Sequence, residues 1–493
     1  MSEWRRTSPR MIIVRPLHEV AGLLPVLFAI VVLGRGDPRE LLWMGGALVL
    51  LLLHGLITWW RTTYRVGEQQ VELHTGLFGR RERALRRDRV RTVERTARFG
   101  HRLFGLAELH VGTGQHEDRL QLDGVTAEEA ERLRVELLRR SPAAPDPESA
   151  AAREDSAVLA TLDWRWLRFA PLTLSGITSV LVGAVALTRV LGEVSSREDD
   201  LLTAAARQVA AWMTRNSPIV DVLAVLLALA GLVVVVSLAG YVLAYAGYRL
   251  TRQERTLRVR RGLLTARSVA IEEARLRGLR IREELLLRPA RGARLAAITS
   301  GLGGHHRGAL LVPPAPLDEV RRVAAEVARD SDPPFARPLQ RHPRAALRRR
   351  LFRAVCPVVV LAAAAGALRL WAGAPDWPWV LALVLLAPAV LVGFDRHRAL
   401  GHALAGSWLV SRSGSVRRDT SALRCGGIIG WRVHRSFFQR RAGVLTLEPT
   451  TAAPHEHPQV VDIGEHDGIR LADEAVPGLL DHLVVRDARD DYS

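Results

Sequence analysis

The sequence has no lysine, only two cysteines, and a 5% aromatic content over 493 residues. Cys356 lies in an apolar run and Cys425 in a distant polar segment, which excludes a disulfide framework and a cysteine-rich metal site. Without lysine there is no Gly-Lys-Ser/Thr phosphate loop. The glycine-rich SGLGGHHRG at 300–308 leads into a turn and an apolar strand, where that loop would open a helix. No cleavage site of small residues follows the first apolar run, so that run reads as a retained membrane segment. All 69 basic residues are arginine, a preference explained by a GC-rich coding bias. That bias does not set the sign of the charge balance, which is +18 and suggests anionic partners: lipid headgroups, nucleic acid or an acidic protein.

Catalytic chemistry is also missing. His305 and His306 are adjacent and would point to opposite sides of a strand. His455 and His457 stand among prolines with no third ligand at a recognisable spacing. His54 is a lone ionisable residue in an apolar run, where a transporter would show several; an interhelical hydrogen bond is its plainer role. The expectation is no catalytic residue, no metal and no cofactor.

What the chain does have is long apolar blocks between charged ones. Hydrophobic residues make up 48% and charged residues 24%, and the mean hydropathy is +0.08. Six runs approach the roughly 20 residues a membrane span needs: 17–34, 41–60, 168–190, 218–247, 354–372 and 377–394. They fall into three pairs, and tryptophans such as Trp59, Trp60, Trp371 and Trp377 cluster at their ends as in an aromatic belt. Arginine is dense before the first span, after the second and before the fifth (RAALRRRLFR). The positive-inside rule therefore predicts cytoplasmic termini and polar segments, in a multi-pass protein of the cell membrane.

The pairing extends to a threefold repeat. TYRVGEQQVELHTG, ALRRDRVRTVER, FGHRLFGLAELHVGTG and TAEEAERLRVELLRR follow the first pair in order. YRLTRQERTLRVRRG, AIEEARLRGLRI, RPARGARLAAITSG and PLDEVRRVAAEVAR follow the second. SWLVSRSGSVRR, SALRCGGIIGW, FFQRRAGVLTLEPT and EAVPGLLDHLVV follow the third. Each set reads as strands with turns and then one helix. In the first helix, Thr126 is a plausible cap, Glu128 and Glu129 fill the first turn, and Ala130, Leu133, Leu137 and Leu138 share a face.

These residues resemble the bacterial pleckstrin-homology-like membrane proteins of the YdbT type. The resemblance rests on Tyr64-Arg65-Val66 and Tyr248-Arg249-Leu250, on Gly76 and Gly262, and on RLFGLAEL and FFQRRAGVLTL, which match through Arg102/Arg440, Gly105/Gly443 and Leu109/Leu447. The second copy lacks the aromatic and the glycine spacing, and the third lacks the opening Tyr-Arg. The resemblance implies an α+β integral membrane protein in which each of three helical hairpins precedes a small cytoplasmic PH-like β-sandwich capped by one C-terminal helix. The expected segments are an arm and hairpin at 1–60, PH-like domains at 61–140, 248–330 and 395–493, linkers at 141–162 and 331–350, and hairpins at 163–247 and 351–394.

Residues 248–353 hold 25 arginines against 10 acids, while 395–493 hold 13 of each, so the basic excess is local. Much of it reads as positive-inside anchoring. The segment RRERALRRDRVR lies within a domain, so Arg80, Arg81, Arg83, Arg86 and Arg87 are the candidate contacts for anionic lipid or a partner. The expected function is a non-enzymatic, membrane-anchored scaffold. Its expected partners are the bilayer, possible anionic phospholipid headgroups, and self-association or a membrane protein, with no nucleic acid. The alternative is a component of a transporter or channel, in which Pro357 and Pro388 would kink their helices.

Overall fold

The structure is a computed structural model. It describes residues 4–12, 14, 45–46, 49–50, 53, 56–57, 59–67, 69–75, 81–86, 92–97, 99–112, 119–139, 157–173, 218–299, 310–373, 375–451 and 458–479. The span expected at 17–34 and most of that at 168–190 lie outside these residues, as do His54, the histidine pairs and Leu138's side chain. The chain divides into two compact units, Met1–Glu272 with Gly301–His305 and Glu273–Ser300 with His306–Ser493.

The first unit begins with β1 (Arg5–Arg6), paired to the opening strand of the first copy. That copy runs β2 (Thr63–Val66), β3 (Gln70–Thr75) and β4 (Arg81–Arg86), then β5 (Thr92–Ala97), β6 (Leu106–Gly112) and β7 (Arg119–Thr126). A short helix α1 (Phe99–Leu103) connects β5 to β6, and α2 (Ala127–Arg139) follows β7. Tyr64, Leu73 and Leu85 from the first three strands close on Leu109, Leu122, Leu133 and Leu137 from the rest. Strand alternation puts one apolar row inside, and α2 covers it with the Leu133/Leu137 face, its Thr126 cap accepting from the Glu129 backbone N–H. β8 (Ala157–Thr161) then precedes a 3₁₀ turn, Trp164–Phe169, and helix α3 (Pro218–Tyr245) leads into β9 (Arg249–Gln253), β10 (Thr256–Arg261) and β11 (Ala266–Glu272).

The second unit carries the rest of the second copy: β12 (Leu276–Glu284), β13 (Gly292–Thr299), β14 (Leu310–Pro316) and α4 (Leu317–Ala328). Two long helices follow, α5 (Arg344–Ala372) and α6 (Trp377–Arg398). The third copy is β15 (Gly401–Ala405), β16 (Trp408–Ser413), β17 (Arg417–Arg424), β18 (Ile428–His434), the short helix α7 (Phe437–Arg441), β19 (Val444–Thr451), β20 (Val460–Gly464) and α8 (Glu465–Ala475). Its core joins Leu409, Ile428, Leu445, Leu447, Ile463 and Leu471.

Among the described residues, α3, α5 and α6 are long and apolar enough to cross a membrane, and at most 11% of their most apolar windows is buried inside the protein. Apolar side chains in that number and that exposure belong in lipid. α5 and α6 are antiparallel: Gly366 near the end of α5 lies under Trp379 at the start of α6, and Gly393 near the end of α6 lies against Leu351. Pro357 and Pro388 sit inside α5 and α6. α3 and α6 each run almost directly into the first strand of the copy that follows.

The copies share more geometry than sequence. Gly105 and Gly443 end α1 and α7 at φ +68° and +62°, and the equivalent turn of the second copy ends on Arg291 at φ +53°. The carbonyl of each accepts from the first N–H of that copy's last helix: Ala127 at 2.9 Å, Leu317 at 2.8 Å and Glu465 at 3.2 Å. Thus Arg288, Arg291 and Leu295 take the places of Arg102/Arg440, Gly105/Gly443 and Leu109/Leu447. The two Tyr-Arg pairs, in contrast, are offset by one pleat. Tyr64 pairs with Leu73 at the register position where Leu250 faces Val259 and His402 faces Ser411. Tyr248 is buried just ahead of its strand, next to Trp166.

Two sheets run across copies. One has the order β7-β6-β5-β11-β10-β9-β8 and the other β14-β13-β12-β17-β16-β15. In both, the fourth strand of one copy pairs antiparallel with the third strand of the next. The register is the same. Ala97, eight residues before Gly105, faces Ala266, four past Gly262. Glu283, eight before Arg291, faces Arg418, four past Gly414. The segment ahead of each copy adds a pairing to its first strand: β1 to β2, β8 to β9, and Gln340 as a bridge to His402.

Candidate protein-interaction surface

The third copy is fastened to the start of α5 by a buried polar cluster centred on Asp462, which is 0% exposed at φ +59°. Arg349 pairs with its Oδ1 and Arg350 approaches Oδ2 at 2.7 Å, while Gln439 Nε2 donates to Oδ1 at 3.0 Å. The Asp462 carbonyl lies 3.2 Å from His342 Nδ1, and His402 Nδ1 lies 3.1 Å from His342 Nε2. A carbonyl only accepts, so His342 carries its hydrogen on Nδ1 and its Nε2 accepts from His402. Burial, with His402 adding to it, pushes His342 down to about 4, and burial also lowers His402; both rings are neutral at pH 7.

Beside this cluster opens a cleft of about 1090 Å³. Arg348, Phe352 and Arg353 line it from α5, Arg432 and His434 from β18, and Phe438 and Arg441 from α7. The Phe352 and Phe438 rings lie 6.4 Å apart, and both are largely exposed, as is the adjoining Phe437. One carboxylate, Glu448, lines the wall opposite Arg432 across the strand pair. The result is a cationic, aromatic-rimmed recess at the arginine-rich end of a membrane helix. Arg435 beside it forms a two-point ion pair with Glu465, both contacts at 2.7 Å, joining the end of β18 to the first turn of α8.

β18 is also the terminal strand of its sheet, β18-β19-β20. Its counterparts β5 and β12 are each flanked on that side by a third strand from the following copy. The terminal strand at the other end of the series is β4, the third strand of the first copy.

Of the arginines expected to form a patch, Arg81, Arg83 and Arg86 fall on β4, and Arg80 and Arg87 lie outside the described residues. The strand separates them. Arg83 shares a face with core residue Leu85, and Arg86 shares the opposite face with Glu82 and Ala84. Arg83 and Arg86 are both exposed. The Asp462 cluster escaped sequence reasoning; its only trace is an acid between apolar residues in PQVVDIG.

A family model described as "Bacterial PH domain" matches residues 16–141, 177–331 and 356–475. The "UPF0699 transmembrane protein YdbT" of Bacillus subtilis is 24% identical over 499 residues, covering 95% of this chain and 97% of that protein. No solved structure matches.

Proposed function

Because the chain belongs to the bacterial PH domain family and is a membrane protein, we propose that it is a non-enzymatic scaffold whose PH-like copies, at 61–140, 248–330 and 395–493, assemble next to the inner leaflet. Each copy follows a transmembrane hairpin, and the termini and PH-like copies face the cytoplasm. The carrying observation is the junction between copies, made twice by backbone pairing in one register. An interface of this kind is built from main-chain hydrogen bonds, so it can be reused while side chains diverge. Arginine density at the start of α5 supports the orientation. Exposed Arg83 and Arg86 support an added attraction to anionic headgroups.

The test has two arms on the full-length chain in its native membrane. Val433→Cys should react with a membrane-impermeant maleimide in inverted vesicles and stay unreacted in right-side-out ones. After mild detergent extraction the chain should migrate in an assembly larger than itself. Labelling from the outside overturns the orientation, and a chain that migrates only as a monomer overturns the scaffold.

A further inference from the structure

The second internal junction shows what a strand in the place of β18 can accept. At the second, Arg280 Nε donates to Ser421 Oγ at 3.1 Å, and Arg282 forms a two-point pair with Asp419, with Nε at 2.9 Å. Arg432 stands eleven residues before Gly443, as Arg280 stands before Arg291; His434 likewise stands where Arg282 does. β18 therefore presents the same two basic positions as β12, without the strand that answers them. Ile429 and Val433, on its other face, are 66% and 51% exposed, and among the described residues no strand pairs with β18 on the side away from β19. Arg432 and His434 also line the cationic cleft, so an incoming carboxylate would enter a recess of opposite charge.

The chain's own terminal third strand, β4, does not fit. Arg81 pairs with the last residue of β3, as Asp419 pairs with the last residue of β16, so the two positions correspond. In the junction register β4 would set Arg83 against Arg432. Like charges directly opposite are destabilising in a sheet, and neither internal junction opposes two arginines. Head-to-tail self-assembly through these edges is thus disfavoured.

We propose that the free edge of β18 receives, antiparallel and in the junction register, the third strand of a PH-like domain from a different protein, one carrying a hydroxyl residue opposite Arg432 and a carboxylate opposite His434. This rests on the scaffold reading and names the partner's chemistry. The docked strand continues the three-stranded sheet as β17 continues β14-β13-β12, and satisfies the row of N–H and C=O groups that a terminal strand leaves open.

The probe is a peptide of the chain's own residues 416–424, which already carries Asp419 and Ser421 at these positions. It is offered to the full-length Val433→Cys chain in detergent, with Cys356→Ala and Cys425→Ala removing the native thiols. A single cysteine is moved through peptide positions 418–422, and disulfide yield is read in a redox buffer. Ile281 faces Thr420 at the internal junction, so yield should peak with the peptide cysteine at 420. Replacing Asp419 and Ser421 of the peptide with arginine should lower that yield about tenfold. A flat scan, a peak elsewhere, or equal yield from the arginine peptide overturns the proposal. Gly430→Cys, whose Cβ would meet only Thr450 at 3.9 Å, repeats the test with the peptide cysteine at 423 should the first variant misfold. An assembly that persists in native membranes while this scan is flat would leave the scaffold standing and remove β18 as its docking edge.

Discussion

Replacing Asp462 with Asn should loosen the third copy more than any surface substitution near it. The carboxylate is wholly buried, and its partners Arg349 and Arg350 have side chains only 14% and 16% exposed. Removing one member of a buried ion pair costs about 3–5 kcal/mol, because the remaining charges stay buried without compensation. Here two arginines of like sign are left together. Gln439 still has an oxygen to donate to, which places the expected loss near the lower end, about 3 kcal/mol. Asn rather than Ala isolates the charge: φ is +59°, a conformation Asn tolerates and Ala resists. Amide hydrogen exchange of the full chain in detergent reads the effect locally, and about 3 kcal/mol corresponds to roughly 150-fold faster exchange. The acceleration should fall on β20, α8 and the first turns of α5, and leave α3 unchanged. An Arg350→Gln, Asp462→Asn double variant should lose less than the sum of the singles. Exchange in β20 within about threefold of the parent, or equal acceleration throughout the chain, would refute the view that this cluster fastens the copy to the helix.

Acid should weaken the same region. His342 titrates near 4 when folded and near 6.5 when unfolded, so its contribution is fully present above pH 6.5 and lost as pH falls toward 4. The loss is on the order of 3 kcal/mol, and His342→Asn should flatten the slope of melting temperature against pH in that window. The turns of the repeat make opposite predictions for glycine. A Cβ on Gly262 or Gly414, at φ +104° and +102°, would lie 2.0 Å from a backbone carbonyl oxygen, so Gly→Ala at either should cost more than about 2 kcal/mol. Arg291→Gly should instead gain about 1 kcal/mol by relieving a left-handed arginine, with thermal unfolding in detergent measuring both.

Much of the architecture was legible in residue order. Apolar runs matched α3, α5 and α6 because a helix in lipid needs only length and hydropathy, and those are local. α5 begins ten residues before its apolar run because RAALRRRLFR is itself helical and carries the anchoring arginines. The repeat was visible through Gly105 and Gly443, since a left-handed turn selects glycine strongly enough to leave a trace. Its second instance was hidden because Arg291 occupies that turn without the signature. The Tyr-Arg match was offset by one pleat because alternate residues share a face, so a shift of two preserves the pattern.

Sequence alone therefore determined the three membrane helices among the described residues, the threefold order of strands and closing helix, and the local excess of arginine. Each depends on neighbours along the chain. Only the tertiary structure decided that copies join third strand to fourth, that β4 divides its arginines between two faces, and that His342, His402 and Asp462 meet at the base of α5. Strand partners are chosen by backbone groups that every residue carries, and the buried cluster joins residues 120 positions apart. Neither writes a local pattern, so both had to be read in three dimensions.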